Sequence, residues 1–198
     1  YVYDNGLTDK TELAIETLGA GAQQVKINVA DGRAVAVRVD MGEPILDGLA
    51  VPTTIDANPV VQHPVEVDGT EFRFTAVSMG NPHCVIYVDD AVGFDLHRFG
   101  PQLETHPLFP RRINVEFATV RDRSQIDMRV WERGAGPTLA CGTGACATLV
   151  ASVITGKSDR TATVSLKGGD LDIEWNETDN HVYMTGPAQT VYRGVLEG

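Results

Sequence analysis

Cysteine is scarce in this chain of 198 residues. There are three, Cys84, Cys141 and Cys146, an odd set with no Cys-x-x-Cys spacing. That argues against a disulfide framework and against a structural zinc centre. Reduced thiols and a cytoplasmic location are the expectation. Long apolar runs are missing as well. No segment approaches the roughly 20 residues a bilayer-spanning helix needs, so no membrane partner is expected. Positive charge is in deficit: 16 Lys and Arg stand against 27 Asp and Glu, a net charge of −11. An acidic surface repels phosphate backbones and anionic lipid, which argues against nucleic acid as a partner. The charges are dispersed, the pattern of a solvated surface. Low-complexity tracts and internal repeats are also lacking. What remains is an ordinary globular composition, 42% hydrophobic and 22% charged. The length is enough for one domain or two small ones with a real core.

Periodicity predicts mostly strands. Tyr1 to Gly6 reads as the last turn of a helix closing on a glycine C-cap, with the expectation that other residues precede it. Strands follow at 11–17, after which a turn at 19–21 leads to 23–29 and 34–41, the last two joined across Asp31-Gly32. Residues 42–64, rich in Pro, Gly and Asp, read as a loop and a domain boundary. Further strands are expected at 65–67, 71–78, 84–88, 114–121, 125–131, 161–166, 170–175, 181–185 and 190–195, with a short helix at 95–104. Residues 143–155 are small and apolar nearly all round, which predicts a helix buried on all faces and capped by Gly156. The strands pair as antiparallel hairpins rather than βαβ repeats, so the class is α+β: strands wrapped around a central helix.

The chemistry gathers at Glu132-Arg133-Gly134-Ala135-Gly136-Pro137-Thr138-Leu139-Ala140-Cys141-Gly142-Thr143-Gly144-Ala145. It puts a carboxylate, a guanidinium and a thiol within ten residues, just before the helix. Free N–H groups and the partial positive charge at a helix start favour anions. The Cys141 thiol is therefore expected to ionise easily, and the N–H groups of Gly142, Thr143 and Gly144 can hold a carboxylate. Arg133 can pair with the same carboxylate. Glu132 can accept the Cys141 proton or hold an ammonium group. Cys146, one turn further on, should point into packing.

Two loops add candidates. Ser78 to Cys84 is expected to expose Asn81 and His83 in a glycine-proline turn, where His83 can serve as a base. Asn114 begins a strand, and an Asn side chain both donates and accepts, which suits an amino-acid substrate. His63, His97, His106 and His181 read as structural and Cys84 as core. The spacing supports no metal site.

Gly80-Asn81-Pro82-His83-Cys84, Arg112 to Phe117, Trp131 to Gly136 and Ala140 to Ala145 together resemble diaminopimelate epimerases. Gly168-Gly169-Asp170-Leu171 and Tyr183 to Ala188 continue the likeness in the family's order, across essentially the whole chain. The resemblance implies an enzyme without pyridoxal phosphate, metal or other cofactor that interconverts LL- and meso-diaminopimelate, on the lysine and peptidoglycan route. It implies two similar lobes, each a central helix inside a curved, mainly antiparallel sheet, with the substrate between them. Each lobe supplies one catalytic cysteine. One takes the α-proton as thiolate; the other returns a proton to the opposite face. By matching motif, Cys141 resembles the second cysteine and Glu132 and His83 its acid/base helpers. Asn81, Asn114, Glu132, Arg133, Gly142 and Thr143 resemble substrate contacts. The family's Cys-Gly-Asn-Gly motif of the first lobe is not in these residues. The implied division is residues 1–41 as a remnant of the first lobe, 42–187 as the second lobe and 188–198 as a strand returning to the first. A homodimer is a further implication. With one of two opposed thiols, the chain by itself is expected to be inactive or nearly so. A proline racemase-type isomerase on the same fold and a non-catalytic ligand-binding module are the alternatives.

Overall fold

The computed structural model describes residues 1–17, 21–190, 192 and 194–195. The chain divides into two compact units, one of Tyr1–Asp40 with the residues from Thr185 onward, the other of Met41–Met184. In the first unit, β1 (Glu12–Thr17), β2 (Gly21–Ala30) and β3 (Arg33–Asp40) form an antiparallel meander. Asp31 and Gly32 both take positive φ, the geometry that matches the twist of a two-residue hairpin. At the start, Leu7 N–H donates to Val2 C=O and Gly6 N–H to Tyr3 C=O, with Gly6 at φ +68°. That is the Schellman pattern of a helix C-cap, here without an assigned helix. Of the strand expected at 190–195, residues 190, 192, 194 and 195 are described and belong to no strand, while 191 and 193 lie outside the described residues; of the turn expected at 19–21, residues 19 and 20 lie outside them and Gly21 begins β2.

The second unit is built on the sheet order β11-β10-β8-β7-β6-β5-β4, with β12 beside β11 and β9 beside β8. The strands are β4 (His63–Val67), β5 (Thr70–Ser78), β6 (Pro82–Tyr87), β7 (Asn114–Asp122), β8 (Gln125–Glu132), β9 (Gly136–Pro137), β10 (Thr161–Leu166), β11 (Gly169–Trp175) and β12 (Val182–Gly186). Asp68 and Gly69, both at positive φ, close the β4–β5 hairpin. Pro64 is tolerated because β4 ends the path of paired strands.

Two helices interrupt the hairpins, α1 (Leu96–Glu104) and α2 (Gly142–Ile154). Here the hairpin-only expectation needs correction. β6 pairs with β7 in parallel, with α1 between them in the chain, and β8 pairs with β10 in parallel, with α2 between. A parallel pair needs a long crossover, and each helix provides one. The other pairings with a recorded register are antiparallel.

Strand alternation feeds two cores. Val85, Ala118, Met128, Val164 and Ile173 pack with Ala145, Cys146, Leu149 and Val150 of α2. Phe74, Cys84, Ile86, Val115 and Phe117 pack with Leu96, Phe99 and Leu103 of α1. α2 buries nine consecutive residues, Gly144 to Ser152, as its nearly all-apolar composition requires.

Candidate active site

All the candidate residues lie in the second unit. Gly80, at φ +91°, turns the chain into β6. The parallel register then sets His83 beside Asn114 and Val85 beside Glu116. His83 is not displayed by the turn as expected; it is fully buried. Its Nδ1 lies 2.6 Å from Glu116 Oε1, and its Nε2–H donates to Asn81 Oδ1 at 3.0 Å. Glu116 is equally buried, and its other oxygen, Oε2, has no hydrogen-bond partner. Both ring nitrogens of His83 are thus engaged by protein groups, Glu116 and Asn81.

Asn114 is a clamp. Its Nδ2 donates to Pro82 C=O and its Oδ1 accepts from Arg133 N–H, both at 2.9 Å. It fixes the start of β6 to the turn that follows β8. A second carboxylate secures the same turn: Glu104 accepts from Gly134 N–H at 2.9 Å and from the Trp131 indole at 2.7 Å. Arg133 itself is exposed, one guanidinium nitrogen donating to Arg111 C=O at 3.3 Å. Glu132 is half-buried, and its Oε1 accepts from the Thr138 hydroxyl.

Cys141 is the N-cap of α2, with extended backbone and 8% exposure. Its Sγ lies 3.5 Å from Thr143 Oγ1. The expectation of an easily ionised thiol is overturned: the pKa is pushed up to about 11. Burial is the largest cause, and the Glu116 and Glu132 carboxylates add to it. The Thr143 hydroxyl and the Gly144 N–H, which points toward the sulfur without closing a capping bond, pull the other way and lose. A helix start favours a thiolate only where opposing effects are smaller, and here a buried carboxylate is one of them.

Gly144 leaves no room for a side chain beside this sulfur. A Cβ on Gly144 would sit 2.8 Å from Glu116 Oε1 and 3.2 Å from Cys141 Sγ. One on Gly142 would meet Met184 Sδ at 2.9 Å. The N–H groups of Gly142 and Thr143, in the first turn, have no acceptor within the helix. Cys84 and Cys146 are both fully buried among core side chains, and burial raises the pKa of each. Of the histidines read as structural, His97 packs edge-on against Trp131. Among the described residues no group of His, Cys, Asp or Glu is arranged to hold a metal ion, and no helix is long and apolar enough to cross a membrane.

The structure therefore gathers Asn81, His83 and Asn114 at the β6–β7 ends, and Cys141, Gly142 and Thr143 at the α2 start. Glu116 bridges the two groups and was not among the sequence candidates.

The fold is that of the amino-acid racemase and epimerase class. The chain is similar to the crystal structure of a probable proline racemase from Agrobacterium radiobacter, with a TM-score of 0.68 at 14% identity, covering 99% of this chain and 65% of that one. It is also similar to a hydroxyproline epimerase from Agrobacterium vitis, with a TM-score of 0.66 at 14% identity, covering 94% and 60%. The family follows from closer matches. Residues 75–191 match the family model for diaminopimelate epimerase. The chain is 57% identical over 197 residues to the diaminopimelate epimerase of Acetivibrio thermocellus, covering the whole of this chain and 70% of that protein. Identity to the diaminopimelate epimerase of Methanococcus maripaludis is 51%, at similar coverage. The chain belongs to the diaminopimelate epimerase family.

Proposed function

We propose that this chain carries the Cys141 half of a diaminopimelate epimerase centre. Such a centre interconverts LL- and meso-diaminopimelate without a cofactor, serving lysine and peptidoglycan synthesis. The observation that carries the reading is a buried thiol at the N-cap of α2, beside the free N–H groups of the first turn, where burial and the nearby carboxylates push its pKa up and favour the S–H form. In the proposed reaction a thiolate on one face removes the α-proton, and the electron pair left on carbon is shared with the carboxylate. The Cys141 S–H then delivers its proton to the opposite face. One C–H bond breaks and another forms, and thiol and thiolate exchange roles. The N–H groups of Gly142 and Thr143, with Arg133, hold the substrate carboxylate. Glu132 takes the Cys141 proton in the reverse direction or binds the ammonium group. Asn81 and Asn114 shape the site, and His83 and Glu132 set the thiol's protonation state.

In this reading the sheet curves around α2 as the central helix, residues 1–41 belong to a first lobe, residues 42–187 form the second, and residues 188–198 return toward the first. The protein acts in the cytoplasm as a homodimer, with diaminopimelate as its small-molecule partner and neither nucleic acid nor membrane involved. Because Cys84 and Cys146 are sealed in the core, residues 1–198 alone offer one usable thiol and invert the centre slowly or not at all.

The likeness to proline racemase-type structures supports a second reading, a cyclic imino-acid substrate. Solvent-deuterium incorporation at the α-carbon, measured with diaminopimelate and with proline, separates the two. Incorporation into diaminopimelate alone is expected. Incorporation into proline alone would replace this reading with the second, and exchange of neither would favour a binding module.

A further inference from the structure

The carboxylate that the motifs left unassigned is the one packed deepest in the site. Glu116 lies on β7 with no exposure, in a strand where Val115, Phe117 and Ala118 are equally buried. A carboxyl group is expensive to place there unless its partners are fixed. It has one fixed partner, His83 Nδ1 at 2.6 Å. Its second oxygen has none. The position of that group relative to α2 is set by Gly144, whose missing side chain leaves Glu116 Oε1 and Cys141 Sγ facing the same spot. A buried polar group left short of partners beside a reactive sulfur points to a role in the chemistry rather than in packing.

We propose that Glu116 is a positioning residue of the epimerisation centre: it holds the His83 ring by Nδ1 so that Nε2 meets Asn81, and it sets a buried carboxylate against Cys141. This rests on the reading of Cys141 as the proton-bearing thiol. The groups that face the Cys141 sulfur are Glu116 from β7, Glu132 from β8, and Thr143, the Gly144 N–H and Cys146 from α2, while His83 from β6 faces it through Glu116. Of the charged ones, Glu116 acts most strongly on it. Its consequence is a thiol kept as proton donor at neutral pH. Two jobs are combined in one side chain, a charge beside sulfur and a clamp on imidazole, and they can be separated by substitution.

The test is alkylation of Cys141 by iodoacetamide in the full chain, followed by mass spectrometry of the Cys141 peptide from pH 7 to 11. It needs no substrate, so it reports on Glu116 even if turnover of diaminopimelate fails. Glu116→Gln removes the charge at constant shape. The apparent pKa of Cys141 should fall by about one unit. At pH 8 that gives roughly tenfold more thiolate, reduced to about threefold faster labelling by the weaker nucleophilicity of the more acidic thiol. Glu116→Asp keeps the charge and draws the carboxylate back from His83. Its labelling profile should match the parent, while the saturating rate of α-hydrogen exchange into diaminopimelate falls at least tenfold with the half-saturating concentration changed by less than threefold. An unchanged labelling profile in folded Glu116→Gln, or a parental exchange rate in Glu116→Asp, overturns the proposal. The Asp variant decides alone if the Gln variant does not fold.

Discussion

Gly144 is the residue on which the site's spacing depends. The atoms that would meet its Cβ, Glu116 Oε1 at 2.8 Å and Cys141 Sγ at 3.2 Å, belong to buried groups with little room to retreat. Gly144→Ala should therefore push the carboxylate and the thiol apart, lower the rate of α-hydrogen exchange into diaminopimelate at least tenfold and cost about 1–3 kcal/mol of stability, as overpacking does. Solvent-deuterium incorporation with urea unfolding checks both, and an equally stable variant with the parental exchange rate would contradict the geometry. Cys141 itself was legible in the sequence as a thiol at a helix start. The direction of its pKa was not, because the opposing carboxylate comes from a strand 25 residues upstream. Glu116 stayed hidden for a related reason. In Asn114-Val115-Glu116-Phe117 it is a single charge in an apolar strand, and only the parallel register with β6 reveals its partner. A buried-strand pattern broken by one carboxylate was the available signal.

Among the elements, the strands with clear alternation and the Asp-Gly hairpins came out within a residue or two of expectation, and α2 within one. These depend on local chemistry. The two parallel pairings did not come out, since the pairing partners are separated by a helix and by more than 25 residues. β9 was missed because two residues of a glycine turn carry no period. α2 also carries a pH dependence. Folded, Cys141 ionises only near pH 11, and Cys146, in the helix interior, is raised further still. Unfolded, both should ionise near pH 8.5. The folded state holds more protons above that value, so its stability is full below about pH 8.5 and falls as pH climbs through 11. Each thiol contributes up to about 1.4 kcal/mol per pH unit. Unfolding by urea at pH 8, 9.5 and 10.5 should show the loss, and Cys146→Ala should lessen it, Cys84 and Cys141 supplying the rest. A parent whose stability is level over that range would show that these thiols ionise freely in the fold.

At the scale of the molecule, a two-unit chain places every candidate residue of this half-site in one unit, on the ends of β6, β7 and β8 and the start of α2. In the proposed function the strand ends and the helix start carry the chemistry, because there the backbone leaves groups unpaired, while the interior strands build the two cores. The family was legible from motif order alone; the clamp roles of Asn114 and Glu104 were not, since they concern backbone atoms that only the folded turn brings close. The central claim is that Cys141 moves the α-proton on one face. Its most direct test is exchange of the α-hydrogen of meso-diaminopimelate by residues 1–198 in deuterium oxide, with and without Cys141→Ser. The parent should incorporate deuterium at the α-carbon with little or no inversion, and Cys141→Ser should lose at least a thousandfold in exchange. Exchange by Cys141→Ser at near the parental rate would contradict it.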